Sequence, residues 1–218
     1  KLKKLGKNWY LGETLHSGIG QGYFLSTPMQ LCLMTAQIGN GGYKITPRII
    51  HDPNEKKNNL EKYVKFKKEN PNMGLSTDLI IASLEFKRLF RNQENINFVK
   101  DAMFSSSNEP GGTSYRSRFK DKKYIFAGKT GSSQIKRFTA LQRKLEVKQN
   151  EIDYLERDHA LFVAFAPYDD PKYAISVLVE HGGSGSSAAA PIAKKIIKKV
   201  IDRHDLRKSQ SFIKDKNI

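Results

Sequence analysis

Hydrophobic and polar residues are arranged most regularly in the last third of the chain. Residues 159–166 and 173–180 are short apolar runs, each of a length that suits one strand of a sheet. The Tyr168–Pro171 segment between them is rich in residues that favour turns. An Ala-rich segment over residues 188–203 has Pro191 in its first turn, which is typical of a helix start. The pattern predicts two strands joined by a turn and followed by a helix.

A further strand is predicted upstream, at residues 124–133, where an apolar segment leads into Gly128-Lys129-Thr130-Gly131. We expect the three strands to be neighbours in one antiparallel sheet, with the helix packed on it. The small residues of Gly182–Ser187 predict a tight connection from the last strand to that helix. Residues 205–218 are polar and are expected to form a frayed C-terminal tail, outside the domain of residues 1–204.

A helix is also predicted near the N-terminus. Thr27 can cap it and Pro28 suits its first position, while the flexible segment Gly39–Gly42 ends it. The residues that follow, Tyr43–Ile50, are predicted to be extended. The middle of the chain carries weaker signals.

Residues His51–Asn72 are polar and lysine-rich, with strand character only at Tyr63–Phe66. Leu75–Phe90 mixes helix and strand signals. A short helix is predicted at Asn95–Phe104, and the turn residues of Asn108–Thr113 predict a loop.

Composition is that of one folded domain on the polar side. The chain has 218 residues, of which 38% are hydrophobic and 28% charged, and no apolar run is long enough to span a bilayer. The basic Lys1–Lys4 segment is not followed by the apolar run of a signal peptide. The single cysteine, Cys32, excludes an internal disulfide and is expected to pack as a small core residue. The five histidines show no zinc spacing, so no metal site is predicted.

The net charge of +16 is compatible with an anionic partner, such as nucleic acid, lipid headgroups or a wall polymer. The charge is spread along the chain, and no nucleic-acid-binding module accompanies it. We therefore favour solvated surface lysines, expect no nucleic-acid partner, and keep a basic nucleic-acid-binding protein as the weakest alternative.

The candidate chemistry centres on Lys129-Thr130-Gly131. The tripeptide alone is weak evidence, but here it ends an apolar strand and is followed by two strands and a helix. Other segments strengthen it: Ser17–Tyr23, Thr27–Leu31, Asn40–Gly42, Asn108–Thr113, Arg157–Pro167 and Glu180–Gly183. Their order and residues resemble class B penicillin-binding proteins, with the penicillin-binding protein 2 subtype the nearest match.

The resemblance implies an α+β fold of the transpeptidase/β-lactamase type, an antiparallel sheet flanked by helices, of which this chain is the C-terminal part. It implies a peptidoglycan DD-transpeptidase that works without a cofactor, binds peptide stems and β-lactams, and acts through a serine acyl-enzyme. Lys129 would place positive charge near the substrate carboxylate, and Thr130 and Ser132 would offer it hydroxyls. Gly131 would permit close approach of the substrate, and the Ser132 N–H would be an oxyanion-hole donor.

The family's Ser-x-x-Lys nucleophile motif and Ser-x-Asn motif are expected upstream of the Gly-Gln-Gly segment, and this chain begins too late to contain them. Formal Ser-x-x-Lys matches begin at Ser117, Ser133 and Ser211, but none is predicted at the start of a buried helix. Ser106-Ser107-Asn108 matches Ser-x-Asn but is assigned to the loop before the Lys-Thr-Gly strand. No catalytic residue is therefore assigned within the chain.

Two further interpretations follow from this absence. The chain is either an enzyme fragment that acts only within an intact protein, or a non-catalytic remnant of a split gene. The resemblance also implies the periplasmic face of a bacterial inner membrane, with a wall-polymer glycosyltransferase and cell-shape scaffold proteins as partners.

Overall fold

The computed structural model describes residues 8–22, 24–49, 61–62, 64–65, 68–69, 87–136 and 139–215. Its centre is an antiparallel sheet with the strand order β1-β2-β3, where β1 is Ala127–Ser133, β2 is His159–Ala166 and β3 is Tyr173–Val179. The helices are α1 (Leu11–Gly18), α2 (Pro28–Gly39), α3 (Gln93–Asn108), α4 (Ala140–Lys144) and α5 (Ala190–Asp215). The predicted antiparallel sheet of three neighbouring strands, flanked by helices, is confirmed.

The central strand β2 is covered on both faces. Its even-numbered residues, including the fully buried Phe162, pack with Ala193 and Ile197 of α5. On the other face Phe165, also fully buried, packs with Ile38 of α2 and Met103 of α3. A strand buried on both faces is apolar throughout, because successive side chains point to opposite faces. This explains why residues 159–166 read as a continuous apolar run.

Helix α2 begins and ends as the sequence predicts. The Thr27 side chain accepts a hydrogen bond from the Gln30 N–H, and the Gln30 side chain accepts one from the Thr27 N–H. After the helix, the Asn40 side chain accepts hydrogen bonds from the N–H groups of Gly42 and Tyr43. Gly42 has φ +91°, a left-handed conformation that glycine adopts without strain.

Cys32, in the middle of α2, is half-buried and contacts β3. Its thiol donates to the Ala174 carbonyl oxygen at 3.5 Å, and burial raises the pKa of the thiol. The residue therefore serves in packing, as expected. No helix in the described ranges is both long enough and apolar enough to cross a membrane.

Several predicted elements differ from the structure. Val64 and Lys65 are helical, so the strand character assigned to Tyr63–Phe66 is wrong where it can be compared. Most of Leu75–Phe90 lies outside the described residues. The strand predicted to begin at residue 124 begins later, since Tyr124 belongs to a 3₁₀ turn that precedes β1.

Helical segments are longer than predicted at two places. Helix α3 runs from Gln93 to Asn108, capped by the Asn92 side chain, so Asn108 ends a helix where a loop was expected. Helix α5 continues to Asp215, so the part of the predicted tail from residue 205 to that point is helical. Polar residues read as a tail in sequence, but a helix that is already nucleated extends at little cost.

The connection from β3 to α5 crosses directly over the sheet. A π-helical turn, Gly185–Ala189, leads into α5. A Cβ atom added to Gly185 would lie 2.3 Å from the Leu161 carbonyl oxygen and 2.8 Å from that of Gly131. Only glycine fits there, because both neighbours are backbone atoms of paired strands.

We predict that Gly185→Ala lowers the free energy of unfolding by roughly 3 kcal/mol or more, because backbone atoms of a ladder cannot move aside. Gly131→Ala is the matched control, since its Cβ would meet only the Leu161 Cβ at 3.5 Å. It should cost less than about 1 kcal/mol. Urea unfolding followed by circular dichroism measures both, and equal losses would contradict the prediction.

A polar cluster attaches α5 to the segment before β1. The Asp202 carboxylate accepts hydrogen bonds from Lys198 at 2.8 Å, from the Tyr124 hydroxyl, and from Lys123 at 3.3 Å. These bonds, led by that of Lys198, lower the pKa of Asp202 from 3.8 to about 2.

Because the pKa of Asp202 is lower in the folded state, its contribution to stability is present above about pH 4 and is lost as the pH falls towards 2. We predict that Asp202→Asn reduces the drop in melting temperature between pH 5 and pH 2.5. Glu109→Gln, which removes an exposed carboxylate, should leave that drop unchanged. An unaltered drop in Asp202→Asn, measured by thermal unfolding, would refute this role.

Candidate functional site

The Lys-Thr-Gly motif lies in the middle of β1, at an edge of the described sheet. Lys129 pairs with Val163, Thr130 with Phe162 and Gly131 with Leu161. Among the described residues no further strand pairs with the outer side of β1. The motif therefore has one side fixed by β2 and one side available to a ligand.

Hydrogen bonds from α3 reveal which backbone groups of β1 point outward. The Asn108 side chain donates to the Phe126 carbonyl oxygen at 2.8 Å, and the Ser107 hydroxyl donates to that of Gly128 at 3.3 Å. In an antiparallel strand the N–H and C=O of one residue point to the same side, and the side alternates along the strand. The even-numbered residues therefore direct their backbone groups away from β2.

The same alternation places the backbone groups of Thr130 and Ser132 on the outer edge. The Thr130 carbonyl oxygen accepts a hydrogen bond from the Lys129 ammonium at 2.7 Å, which agrees with this direction. The N–H of Ser132 has no acceptor within the part of the chain that the structure describes. A donor at an exposed edge is available to an oxygen atom of a bound molecule.

The predicted site residues divide between the two faces of the sheet. Thr130 and Ser132 are on the face covered by α5, while Lys129 and Gly131 are on the face of α2 and α3, since residues paired in register share a face. The ammonium of Lys129 is exposed on a flexible stem, and the Ser132 side chain is exposed as well. The structure thus joins these residues through the strand edge and not through direct contacts between their side chains.

Thr113 is a member of this site that the sequence did not single out. Its hydroxyl accepts a hydrogen bond from the Thr130 hydroxyl at 2.9 Å and bonds with that of Ser106 at 3.2 Å. The contact depends on Gly112, where a Cβ would lie 2.4 Å from the Ser106 carbonyl oxygen. The Gly-Gly-Thr sequence was the available signal, because two glycines let a loop fold tightly against the helix before it.

The formal Ser-x-Asn match at Ser106-Ser107-Asn108 supports β1 structurally. It forms the last turn of α3, although a loop was expected there. Ser107 is fully buried and bonds to Ser114 at 3.0 Å as well as to β1. Its hydroxyl is therefore occupied by the fold.

The formal Ser-x-x-Lys pairs do not form catalytic pairs. Ser117 is buried in a 3₁₀ turn. Ser133 ends β1, and Lys136, three residues later, forms an ion pair with Glu156. The side chains of the pair that begins at Ser211 lie outside the described residues. Within the described ranges, no three metal-ligating side chains lie close enough to hold a metal ion.

The segment after β1 is attached to the ends of the other strands. The Gln149 side chain donates to the Asp158 carboxylate at 3.0 Å and accepts from the Asp158 N–H at 2.8 Å. The carbonyl oxygen of Asp158 accepts from the Gly183 N–H at 2.8 Å. Next to it, His159 faces Ser133 across the ladder and accepts from the His181 N–H at 3.0 Å. These bonds fix the boundary of the sheet next to the motif.

The chain is similar in sequence to known peptidoglycan transpeptidases. The peptidoglycan D,D-transpeptidase MrdA of Salmonella typhimurium is 32% identical over 196 residues, covering 90% of this chain and 28% of that protein. MrdA of Escherichia coli K12 is 28% identical over 202 residues, covering 93% of this chain and 28% of that protein. The chain thus spans somewhat more than a quarter of the length of these relatives.

Solved structures give the same result. PBP2 of Pseudomonas aeruginosa, determined with WCK 5153, matches with a TM-score of 0.60 and 30% identity, over 91% of this chain and 36% of that one. PBP2 of Helicobacter pylori, determined in complex with MreC, matches with a TM-score of 0.61 and 28% identity, over 93% of this chain and 30% of that one. The family model for the penicillin binding protein transpeptidase domain matches residues 3–198. The chain therefore belongs to the penicillin-binding protein transpeptidase family and corresponds to the C-terminal part of a PBP2-like domain.

Proposed function

We propose that this chain is the C-terminal part of a peptidoglycan D,D-transpeptidase and supplies the substrate-binding wall of its active site. The observation that carries the proposal is the outward, unoccupied N–H of Ser132 on the exposed edge of the Lys-Thr-Gly strand. The nucleophilic serine and its lysine base would come from another part of the same domain, since neither Ser117 nor Ser133 forms such a pair within the described residues.

In the proposed reaction a serine hydroxyl attacks the carbonyl carbon of a D-Ala-D-Ala peptide bond. The carbonyl oxygen becomes an oxyanion, the terminal D-Ala leaves as the amine, and the acyl group then passes to the amine of a second stem. The Ser132 N–H would donate to that oxyanion. One such donor lowers the activation free energy by about 3 kcal/mol. It would act at the moment when negative charge develops.

The side chains of the motif would hold the substrate carboxylate. Thr130 and Ser132 carry hydroxyls on one face of β1. The Thr130 hydroxyl donates to Thr113 in this structure and would turn its proton from Thr113 to the carboxylate when the substrate binds. The Lys129 ammonium donates one hydrogen bond to the Thr130 carbonyl oxygen. It would turn towards the substrate carboxylate when the substrate binds. Gly131 leaves the strand open at the centre of the motif, so that an extended peptide can lie against it.

Exposed apolar residues on the first two helices support a contact with the rest of such a domain. Leu11, Leu15 and Ile19 of the α1 region and Met29 and Met34 of α2 are all exposed. Exposed apolar residues mark a contact surface where they lie together, as Leu11 and Leu15 do one helical turn apart on α1.

The setting and partners of the protein are part of the same proposal. A PBP2 relative was solved in complex with MreC, and we propose a scaffold partner of that kind for the protein to which this chain belongs. By resemblance, we further propose a wall-polymer glycosyltransferase partner and the periplasmic face of the inner membrane. The alternative, a non-catalytic remnant of a split gene, would keep the fold and serve in binding or interaction without restoring acylation.

Acylation by penicillin tests whether the chain supplies the nucleophile. Incubated alone with a fluorescent penicillin, the chain should show no covalent band after denaturing electrophoresis, because it supplies no activated serine. When mixed with the upstream part of a relative's transpeptidase domain, it should increase labelling of that part. The upstream part alone is the control. A covalent band on this chain would overturn the assignment, and an unchanged signal in the mixture would favour the non-catalytic remnant.

Substitutions at Ser132 test its backbone N–H as the oxyanion donor. Ser132→Pro removes an N–H that points outward, so the sheet should survive, since proline is tolerated on that side of an edge strand. Acylation of the mixed enzyme should fall by roughly a hundredfold. Ser132→Ala retains the N–H and should lose roughly tenfold, the effect of one hydrogen bond to a charged group. Circular dichroism checks the fold, and equal losses in the two variants would refute the backbone role.

A further inference from the structure

A second concave site lies on the other side of Thr113. An open cavity of about 690 Å³ separates the turn Tyr115–Ser117 from the first turns of α5. Cationic side chains line it from both elements, Arg116 from the turn, and Lys194, Lys195 and Lys198 from the helix.

Most of this positive charge has no counter-ion among the residues that the structure describes. Within the described ranges, neither Arg116 nor Lys195 lies within salt-bridge distance of a carboxylate. Lys194 stands 5.1 Å from the centre of the Phe119 ring, which also lines the cavity. Lys198, in contrast, is neutralised by Asp202 at 2.8 Å. Three cations therefore face one concave space with an apolar ring beside them.

A serine hydroxyl also belongs to the lining of this cavity. Ser117, which is 4% exposed, is one of the lining residues. A hydroxyl both donates and accepts hydrogen bonds, so it can donate to an oxygen atom of a ligand within the cavity.

We propose that this cavity binds a phosphoryl group. A tetrahedral dianion has enough oxygen atoms to meet a planar guanidinium, two ammonium groups and a serine hydroxyl at once, whereas one carboxylate has two. The Phe119 ring would contact the organic part that carries the group. This cavity is separate from the Lys-Thr-Gly edge, although Thr113 belongs to both. Phosphoryl binding there would be a function in addition to the proposed transpeptidase activity.

Binding of inorganic pyrophosphate to the complete chain, measured by isothermal titration calorimetry, tests this site without any acylation. Arg116→Gln and Lys195→Gln should each weaken binding roughly tenfold, the effect of one lost charge-assisted hydrogen bond. Lys199→Gln is the matched control, since it removes the same charge from an exposed position on the same helix outside the cavity. Its affinity should change by less than about twofold.

Two outcomes would overturn the proposal. An equal loss in Lys195→Gln and Lys199→Gln would show diffuse attraction to a basic surface. Citrate binding as tightly as pyrophosphate would show a general anion site without preference for phosphate. Sedimentation with phosphatidylglycerol vesicles, compared with neutral phosphatidylcholine, identifies the source. Vesicle binding that requires Arg116 assigns the phosphate to a lipid headgroup, and pyrophosphate binding without vesicle binding assigns it to a soluble or polymer-borne group.

Discussion

The outer edge of β1 has to satisfy its backbone groups without a neighbouring strand, and most of the site follows from how it does so. The end of α3 solves half of the problem, because Asn108 and Ser107 donate to the carbonyl oxygens of Phe126 and Gly128. The helix ends there and its chain turns away. The next outward positions, Thr130 and Ser132, are left for a ligand.

Holding an open edge in place requires a rigid strand behind it. Strand β2 provides this, since it is buried between α5 on one face and α2 and α3 on the other. Gly185 brings the start of α5 into contact with both β1 and β2, so the helix fixes the two strands relative to each other. The open edge therefore belongs to the most completely packed part of the molecule.

The sequence predicted the parts of this arrangement that depend on local or periodic signals. Neighbouring residues are enough to predict the helix cap at Thr27, the helix end at Asn40 and the strands on either side of Pro171. Thr113 was missed because its role depends on Thr130, which is distant in sequence. The steric demand at Gly185 was missed for the same reason, since its neighbours belong to two other elements.

Other differences arise where polar residues adopt regular structure. The C-terminal part of α5 is helical although its residues are polar, because helix propagation needs no apolar face once the first turns are packed. Asn108 was assigned to a loop on its turn chemistry, yet the same side chain ends α3 by bonding to β1. Here tertiary hydrogen bonds decided between two conformations that the residue type allows equally.

The occupied half of the β1 edge also has a consequence for association between molecules. An exposed edge strand invites pairing with another chain, and long open edges lead to aggregation. Here the carbonyl oxygens of Phe126 and Gly128 are already occupied, so a partner strand could not form a continuous ladder along the edge before Thr130. Such a short ladder suits a short peptide that is held by few hydrogen bonds. A full-length strand would form few backbone hydrogen bonds there. Selectivity for a short ligand and resistance to edge-to-edge pairing thus come from one helix end.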